Sequence, residues 1–362
     1  MDESTLTFLR RVYRGHYFKH HDLVEIPSQI QAREFGYIPF GGGMIRHLSF
    51  KNPGELVAEL VKQAPSSVYC SNAIYERPTL QMDEKGWLGA ELIFDIDADS
   101  IPTACKAKHN WWYCNSCNKG GMGTKPTKCP KCRSPALEQV QWSCKECLDA
   151  TKEHVKRLRD FLTGDFGVSE QAIHLYFSGN RGYHAHVRDE RFERADSQMR
   201  TEVANYIRGN GLSLRLSPQD SKTAATDNSL GWRRRSDLFM TSKTSTYGKR
   251  QTQKLTEEIV TANAALIDES VTTDIHRVFR MPGTLHGNSG LLKMRVKEID
   301  GFDPQKDPVV LSGEKVKVHI DFSPGFSLNG INFGPYDSST VQIPIYAAVF
   351  LTARGLGQVL PG

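Results

Sequence analysis

The chain has 362 residues, 39% of them apolar and 24% charged, an ordinary balance for a globular protein of one or two domains with a real core. Its formal charge of +5 and pI of about 8.7 suit a polyanionic partner without demanding one. The longest nearly apolar run, Ile343 to Ala353, is far short of the ~20 residues that span a bilayer. Met1-Asp-Glu-Ser lacks the basic and apolar regions of a signal peptide; a soluble, cytoplasmic protein with no membrane partner is expected.

Taken in chain order, Leu6, Leu9, Val12, Tyr13 and Tyr17 fall on one face of a helix over 4–19. Arg33 to Phe50 reads as two strands around the turn Gly41-Gly42-Gly43. A short helix over 53–63 opens near Asn52 and turns Leu56, Leu60 and Val61 inward. Leu88 to Asp99 reads as one strand ending in acids. Residues 104–147 are poor in aliphatics and rich in Cys, Gly, Lys and Pro, so metal must replace a hydrophobic core there. A helix over 148–163 follows, with Val155, Leu158, Phe161 and Leu162 on one face. Ile173 to Phe177 and Tyr183 to Val187 form a hairpin across Ser178-Gly-Asn-Arg-Gly182. Residues 188–265 are mostly polar and partly helical, with a basic stretch from Arg233 to Lys254, and read as an insertion or flexible subdomain. Strands return from Ile275, over 315–322 and 336–343, before a last helix over 345–353.

Four constellations carry chemistry. Asp95 and Asp97, at i and i+2 of a strand, point to one face; two carboxylates that close suit Mg²⁺ or Mn²⁺, whose ligands are oxygens. The loop Ser178-Gly-Asn-Arg-Gly-Tyr-His184 offers backbone N–H groups and Arg181 to phosphate, and His184 and His186 share a face by parity. The segment Asp268 to Gly290 adds a carboxylate, then Arg280 and His286 around Pro282-Gly-Thr-Leu-His-Gly287, with Lys293 beyond it. Seven of the eight cysteines lie between Cys105 and Cys147. Six form C-x-x-C pairs separated by two eleven-residue spacers, a zinc pattern rather than a disulfide framework. With His109 there are eight candidate ligands, enough for two closed tetrahedral sites. A nested arrangement is favoured because Cys147 runs straight into a helix: Cys114, Cys117, Cys129 and Cys132 at the tip, Cys105, His109, Cys144 and Cys147 at the base. Sequential pairing stays open. Cys70 stands apart as a buried thiol.

Together these segments resemble the catalytic subunit of the archaeo-eukaryotic primase superfamily. The resemblance rests on Arg33-Glu-Phe-Gly, Arg46-His-Leu-Ser-Phe, Phe94-Asp-Ile-Asp97, Ser178-Gly-Asn-Arg-Gly-Tyr-His184, Asp268, Pro282-Gly-Thr-Leu-His286 and Phe333-Gly-Pro-Tyr336, in the family's order across nearly the whole chain. It implies a mixed α/β catalytic core, with β-sheets flanked by helices, formed by 1–104, 166–187 and 266–362. A zinc-binding module over 105–147 and a partly helical insertion over 188–265 complete the chain. The resemblance further implies two catalytic Mg²⁺ or Mn²⁺ ions on Asp95, Asp97 and Asp268, and nucleotide contacts from Ser178, Arg181, His184, Arg280 and His286. Template-directed synthesis of short RNA or DNA primers on single-stranded DNA from nucleoside triphosphates is the expected activity, with a primase large subunit and the replication machinery as partners near the nucleoid. The alternatives are a stand-alone primase-polymerase of repair or a mobile element, and a non-catalytic zinc-ribbon nucleic-acid-binding protein. The sequence departs from eukaryotic members at Asn180, Arg280 and Asn288-Ser289, where they carry arginine, lysine and Lys-Thr; on that side the triphosphate pocket is expected to be less basic.

Overall fold

The structure is a computed structural model that describes residues 1–117, 119–213, 231–241 and 249–360, without the side chains of 241 and 249–252. Part of the basic stretch expected from Arg233 to Lys254 lies outside the described residues.

Two four-stranded antiparallel sheets position the site. In the first, Val278–Arg280, Ser67–Ser71, Phe35–Ile38 and Ile45–Leu48 are neighbours in that order. In the second the order is Met294–Arg295, Ile173–Phe177, Gly182–Val187 and Leu92–Asp97. Phe279 of the first sheet meets the rings of His184 and His186 of the second, at centroid distances of 5.7 and 6.0 Å. The N-terminal helix Glu3–Lys19, capped by Asp2, buries Phe8, Leu9, Tyr13 and Tyr17. Helix Pro53–Gln63 is capped by Asn52 and buries Leu56 and Leu60; side-chain caps of this kind satisfy N–H groups that the helix itself leaves open.

The single strand expected from Leu88 to Asp99 is two strands. Trp87–Ala90 pairs with Ala73–Tyr75, and Leu92–Asp97 joins the second sheet. The break falls at Glu91, whose carboxylate is drawn inward by Arg33 at 3.0 Å. Arg200 fixes the same break: its guanidinium donates to the carbonyls of Ala90 and Glu91 at 2.7 and 3.0 Å.

Arg200 belongs to helix Ser197–Arg208, inside the segment read as an insertion or flexible subdomain. Its described residues are packed against the rest of the chain. Val203, Ile207, Trp232, Leu255 and Ile259 bury into the main core, and Arg235 pairs with Asp160 and Asp165 at 2.5 and 2.6 Å while lying over the Phe161 ring. The polar composition reflects helices that are amphipathic, with only one face meeting the core. The helix expected over 148–163 runs Lys145–Asp160 and ends in a wider turn, Phe161–Asp165.

The cysteine module carries a three-stranded sheet of Gly120–Met122, Trp111–Cys114 and Leu137–Val140. Its base is anchored by aromatic packing: Trp111 against Phe322, and Trp142 against Phe326 and Phe350. Those partners come from the C-terminal region, where helix Ile345–Thr352 packs on the sheet Tyr336–Pro344, Lys315–Ser323 and Gly357–Val359.

Candidate active site and metal centres

The strand register brings Asp95, Asp97 and His184 together. Asp95 lies opposite His184 and Asp97 opposite Gly182, so both carboxylates and His184 share one face. His184 Nε2 is 3.5 Å from Asp95 Oδ1. Asp268 caps the short helix Glu269–Thr273, and its backbone N–H donates to the Asp95 carbonyl at 2.8 Å. Burial, then the charges of Asp97 and Asp268, push the Asp95 carboxyl up from its ordinary 3.8 to about 7. That rise has the sign expected of crowded carboxylates without a cation. An oxygen-only donor set of this kind fits Mg²⁺ or Mn²⁺.

The first glycine loop lies beside this acidic edge and is tied to the second. The Ser178 hydroxyl accepts from the N–H groups of Asn180 and Gly182 at 3.4 and 3.2 Å, and Ser289 Oγ donates to the Gly179 carbonyl at 2.5 Å. Gly179 has φ +86°, and a Cβ there would meet the Leu291 carbonyl at 2.9 Å; only glycine fits this turn. Arg280 donates to Ser67 Oγ at 2.8 Å and lies 5.3 Å from the Tyr69 ring centroid. The carbonyl of His286 is held by the Tyr13 hydroxyl at 2.8 Å. Burial and then nearby cations keep His184 and His286 well below the ordinary histidine value, so both are neutral at physiological pH. Arg181 pairs with Asp99 at 2.6 Å, and Asp99 N–H donates to Asp97 Oδ1 at 2.9 Å, which connects the phosphate-type loop to the carboxylate pair.

Sequence reasoning did not assign roles to the residues beneath this edge. Lys293 is fully buried; its ammonium donates to the Arg280 carbonyl at 2.7 Å and stands 3.3 Å from His186 Nε2. An ammonium only donates, so His186 Nε2 accepts and its Nδ1–H faces Glu91 Oε2 at 3.3 Å. Burial, then Arg280, lowers Lys293 to about 7. The pair Arg33-Glu34 from the sequence motif is also structural: Glu34 is fully buried against Arg46 at 2.8 Å and Lys85 at 3.3 Å. The parity of His186 with His184, and Lys293 just beyond the Pro282–Gly287 turn, were the signals pointing below the edge.

The cysteines gather in nested fashion. Cys105, His109, Cys144 and Cys147 place their ligand atoms within 4.8 Å of one another, and so do Cys114, Cys117, Cys129 and Cys132. Cys105 and Cys147 sulfurs are 3.2 Å apart and those of Cys117 and Cys129 3.6 Å, too long for the ~2.05 Å of a disulfide. The Cys132 backbone N–H lowers the Cys129 thiol, while the thiols of Cys132, Cys144 and Cys147 are pushed up; they crowd one another as thiols without a cation between them do. These donor sets fit zinc. Cys70 is buried apart from them, its thiol pushed up to about 12 by burial.

Comparison with known proteins places the chain in a family. A family model described as "DNA primase small subunit" matches residues 138–298. The DNA primase small subunit PriS of Nitrosopumilus maritimus is 35% identical over 99% of this chain and 100% of its own length. That of Cenarchaeum symbiosum is 36% identical over 98% of this chain and 99% of its own. That of Archaeoglobus fulgidus is 32% identical, covering 97% and 98%.

Proposed function

Since the chain belongs to the family of DNA primase small subunits, we propose that it joins nucleoside triphosphates into short primers on a single-stranded DNA template. The observation that carries this reading is the register pairing of Asp95 with His184 and of Asp97 with Gly182. It sets an acidic edge against the Ser178–Gly182 loop. Asp95, Asp97 and Asp268 would hold two divalent cations, Mg²⁺ or Mn²⁺. Bound there, such ions supply charge neutralisation at the reacting phosphate and lower the pKa of the attacking hydroxyl.

The chain's own groups do the positioning. Arg181 and Arg280 hold the triphosphate by charge-assisted hydrogen bonds. Neutral His184 and His286 offer a ring N–H without adding a charge, and the Ser178 loop fixes the backbone against which the phosphates lie. Catalysis of this kind rests on orientation and preorganised charge. Asp95 and Asp97 act as ligands and not as a general base. The eight ligands of 105–147 hold two structural zinc ions, which clamp a segment too poor in aliphatics to fold on its own core. The division into a catalytic core of 1–104, 166–187 and 266–362, the zinc module and the 188–265 insertion belongs to this reading. So do a large-subunit partner, the wider replication machinery and a cytoplasmic, nucleoid-associated location. Among the described residues no helix is long and apolar enough to cross a membrane.

The test is synthesis on a single-stranded template with labelled nucleotides, with the large subunit present. Asp97→Asn is expected to abolish Mg²⁺- or Mn²⁺-dependent products while zinc content and melting temperature stay near wild type. Normal synthesis by that variant would overturn the assignment of the carboxylate edge.

A further inference from the structure

Arg354 follows the last helix, Ile345–Thr352, far in sequence from either glycine loop, yet it touches both. One guanidinium nitrogen donates to Asn180 Oδ1 at 2.9 Å and the other to the Asn288 carbonyl at 2.6 Å and the Phe350 carbonyl at 2.8 Å. The guanidinium lies 3.6 Å from the Phe350 ring centroid and 5.4 Å from that of Trp142. None of these partners is a carboxylate. Among the described residues Arg354 forms no ion pair, although its surroundings are desolvated enough, with Arg181 next to it, to lower the guanidinium to about 9. A cation in such a place whose hydrogen bonds all go to neutral acceptors keeps its charge for something else.

Arg354 and Arg181 line one cavity of about 280 Å³ with Asn180, Asn288, Trp142 and Phe350. It opens beside the loop ends that carry Arg181 and Asn288, and both Arg354 and Arg181 contribute to holding His286 neutral. Asn180 and Asn288 carry no charge of their own; Arg354 delivers one to both loops from the C-terminus.

We propose that Arg354 and Arg181 form a phosphate subsite across this cavity, which receives the terminal phosphate of the bound triphosphate and, after transfer, the end of the pyrophosphate. This rests on the reading of Arg181, Arg280 and His286 as the triphosphate cradle. The subsite needs no bond made or broken: it supplies a planar fork, suited to phosphate oxygens, at the distal end of a chain whose near end lies at the carboxylates.

The experiment measures the KM for nucleoside triphosphate, inhibition by inorganic pyrophosphate and affinity for a labelled single-stranded template. It uses the primase with its large subunit and the variants Arg354→Gln, Asn180→Asp and Arg280→Gln. Asn180→Asp keeps the shape of the loop and puts a carboxylate on Arg354, so it quenches the free charge without removing the packing on Phe350. Zinc content and melting temperature identify any variant that fails to fold. Arg354→Gln and Asn180→Asp are each expected to raise KM and the pyrophosphate inhibition constant together by roughly tenfold, the worth of one charge-assisted contact, with kcat and template affinity little changed. If Asn180→Asp or a folded Arg354→Gln leaves both constants at wild type while Arg280→Gln raises them, the subsite is refuted and the cradle stands. If all three leave them unchanged, the cradle reading itself fails. A loss of template affinity at unchanged KM would assign Arg354 to a backbone phosphate of the DNA and overturn the proposal.

Discussion

Asp95 offers a measurement in which the site's cost to the fold can be read directly. Its carboxyl is raised from 3.8 to about 7 by burial, Asp97 and Asp268. An acid whose pKa is higher in the folded state favours folding fully below its unfolded value, and that contribution is lost as pH rises through the folded value. Between pH 4 and pH 8 the protein free of Mg²⁺ and Mn²⁺ therefore loses stability at this residue. A shift of that size, at about 1.4 kcal/mol per unit, sets a ceiling near 4 kcal/mol. The side chain is 25% exposed, and screening by water brings the expected figure to roughly 2–3 kcal/mol. Asp95→Asn has the same shape and cannot ionise. In urea unfolding at pH 8, without added Mg²⁺ or Mn²⁺ and with zinc retained, the variant should be more stable than wild type by about that amount. The gap should close toward pH 4. Added Mn²⁺ should stabilise wild type by mass action and leave the variant little changed, while the variant makes no primers. A variant equally or less stable than wild type at pH 8, or a gap independent of pH, would refute the reasoning.

Other expectations follow from the same geometry. Cys147→Ser, at the buried base of the cysteine module, should lower zinc content from two ions to one and cause a large fall in melting temperature, because Trp111 and Trp142 anchor there. Cys132→Ser, at the exposed tip, should also lose one ion but with a smaller fall, and atomic absorption with thermal melting separates the two. Arg200→Ala removes a side chain with no solvent exposure that serves the carbonyls of Ala90, Glu91, Phe192 and Ala195. Orphaned acceptors and a cavity together should cost roughly 3–5 kcal/mol in urea unfolding; a loss under about 1 kcal/mol would mean that water replaces the guanidinium.

What the sequence made legible was local. The 3.6-residue spacing of Leu9, Tyr13 and Tyr17, the strand parity of Asp95 and Asp97, the hairpin around Gly179 and the C-x-x-C pairs all depend on neighbours a few positions apart. What it hid depends on contacts across the chain. Lys293 meets His186 across 107 positions and Arg354 meets Asn180 across 174, and no local pattern marks either contact. The break at Glu91 has the same origin: nothing in Leu88 to Asp99 says that Arg33 and Arg200 will claim that carboxylate and the carbonyls beside it. The polar face of helix Ser197–Arg208 hid the core face that buries Val203 and Ile207.

The partners of the cations sort them by purpose. Away from the site, Arg33, Arg46, Arg188 and Arg235 face carboxylates, so their charge is spent within the fold. Arg200 is satisfied by carbonyls but has no exposure through which a ligand could reach it. Around the glycine loops the pattern changes. Arg280 is held by a serine hydroxyl, and Arg354 by an asparagine side chain and carbonyls. Neutral acceptors fix the position of a cation without neutralising it, which is what preorganised stabilisation of phosphate charge requires. Arg181 is the exception, since Asp99 pairs with it at 2.6 Å. Asp99 is itself bonded through its backbone to Asp97, so this one ion pair joins the cationic loop to the carboxylate edge. The two halves of the site thus share Asp99, which fixes Arg181 on one side and bonds to Asp97 on the other.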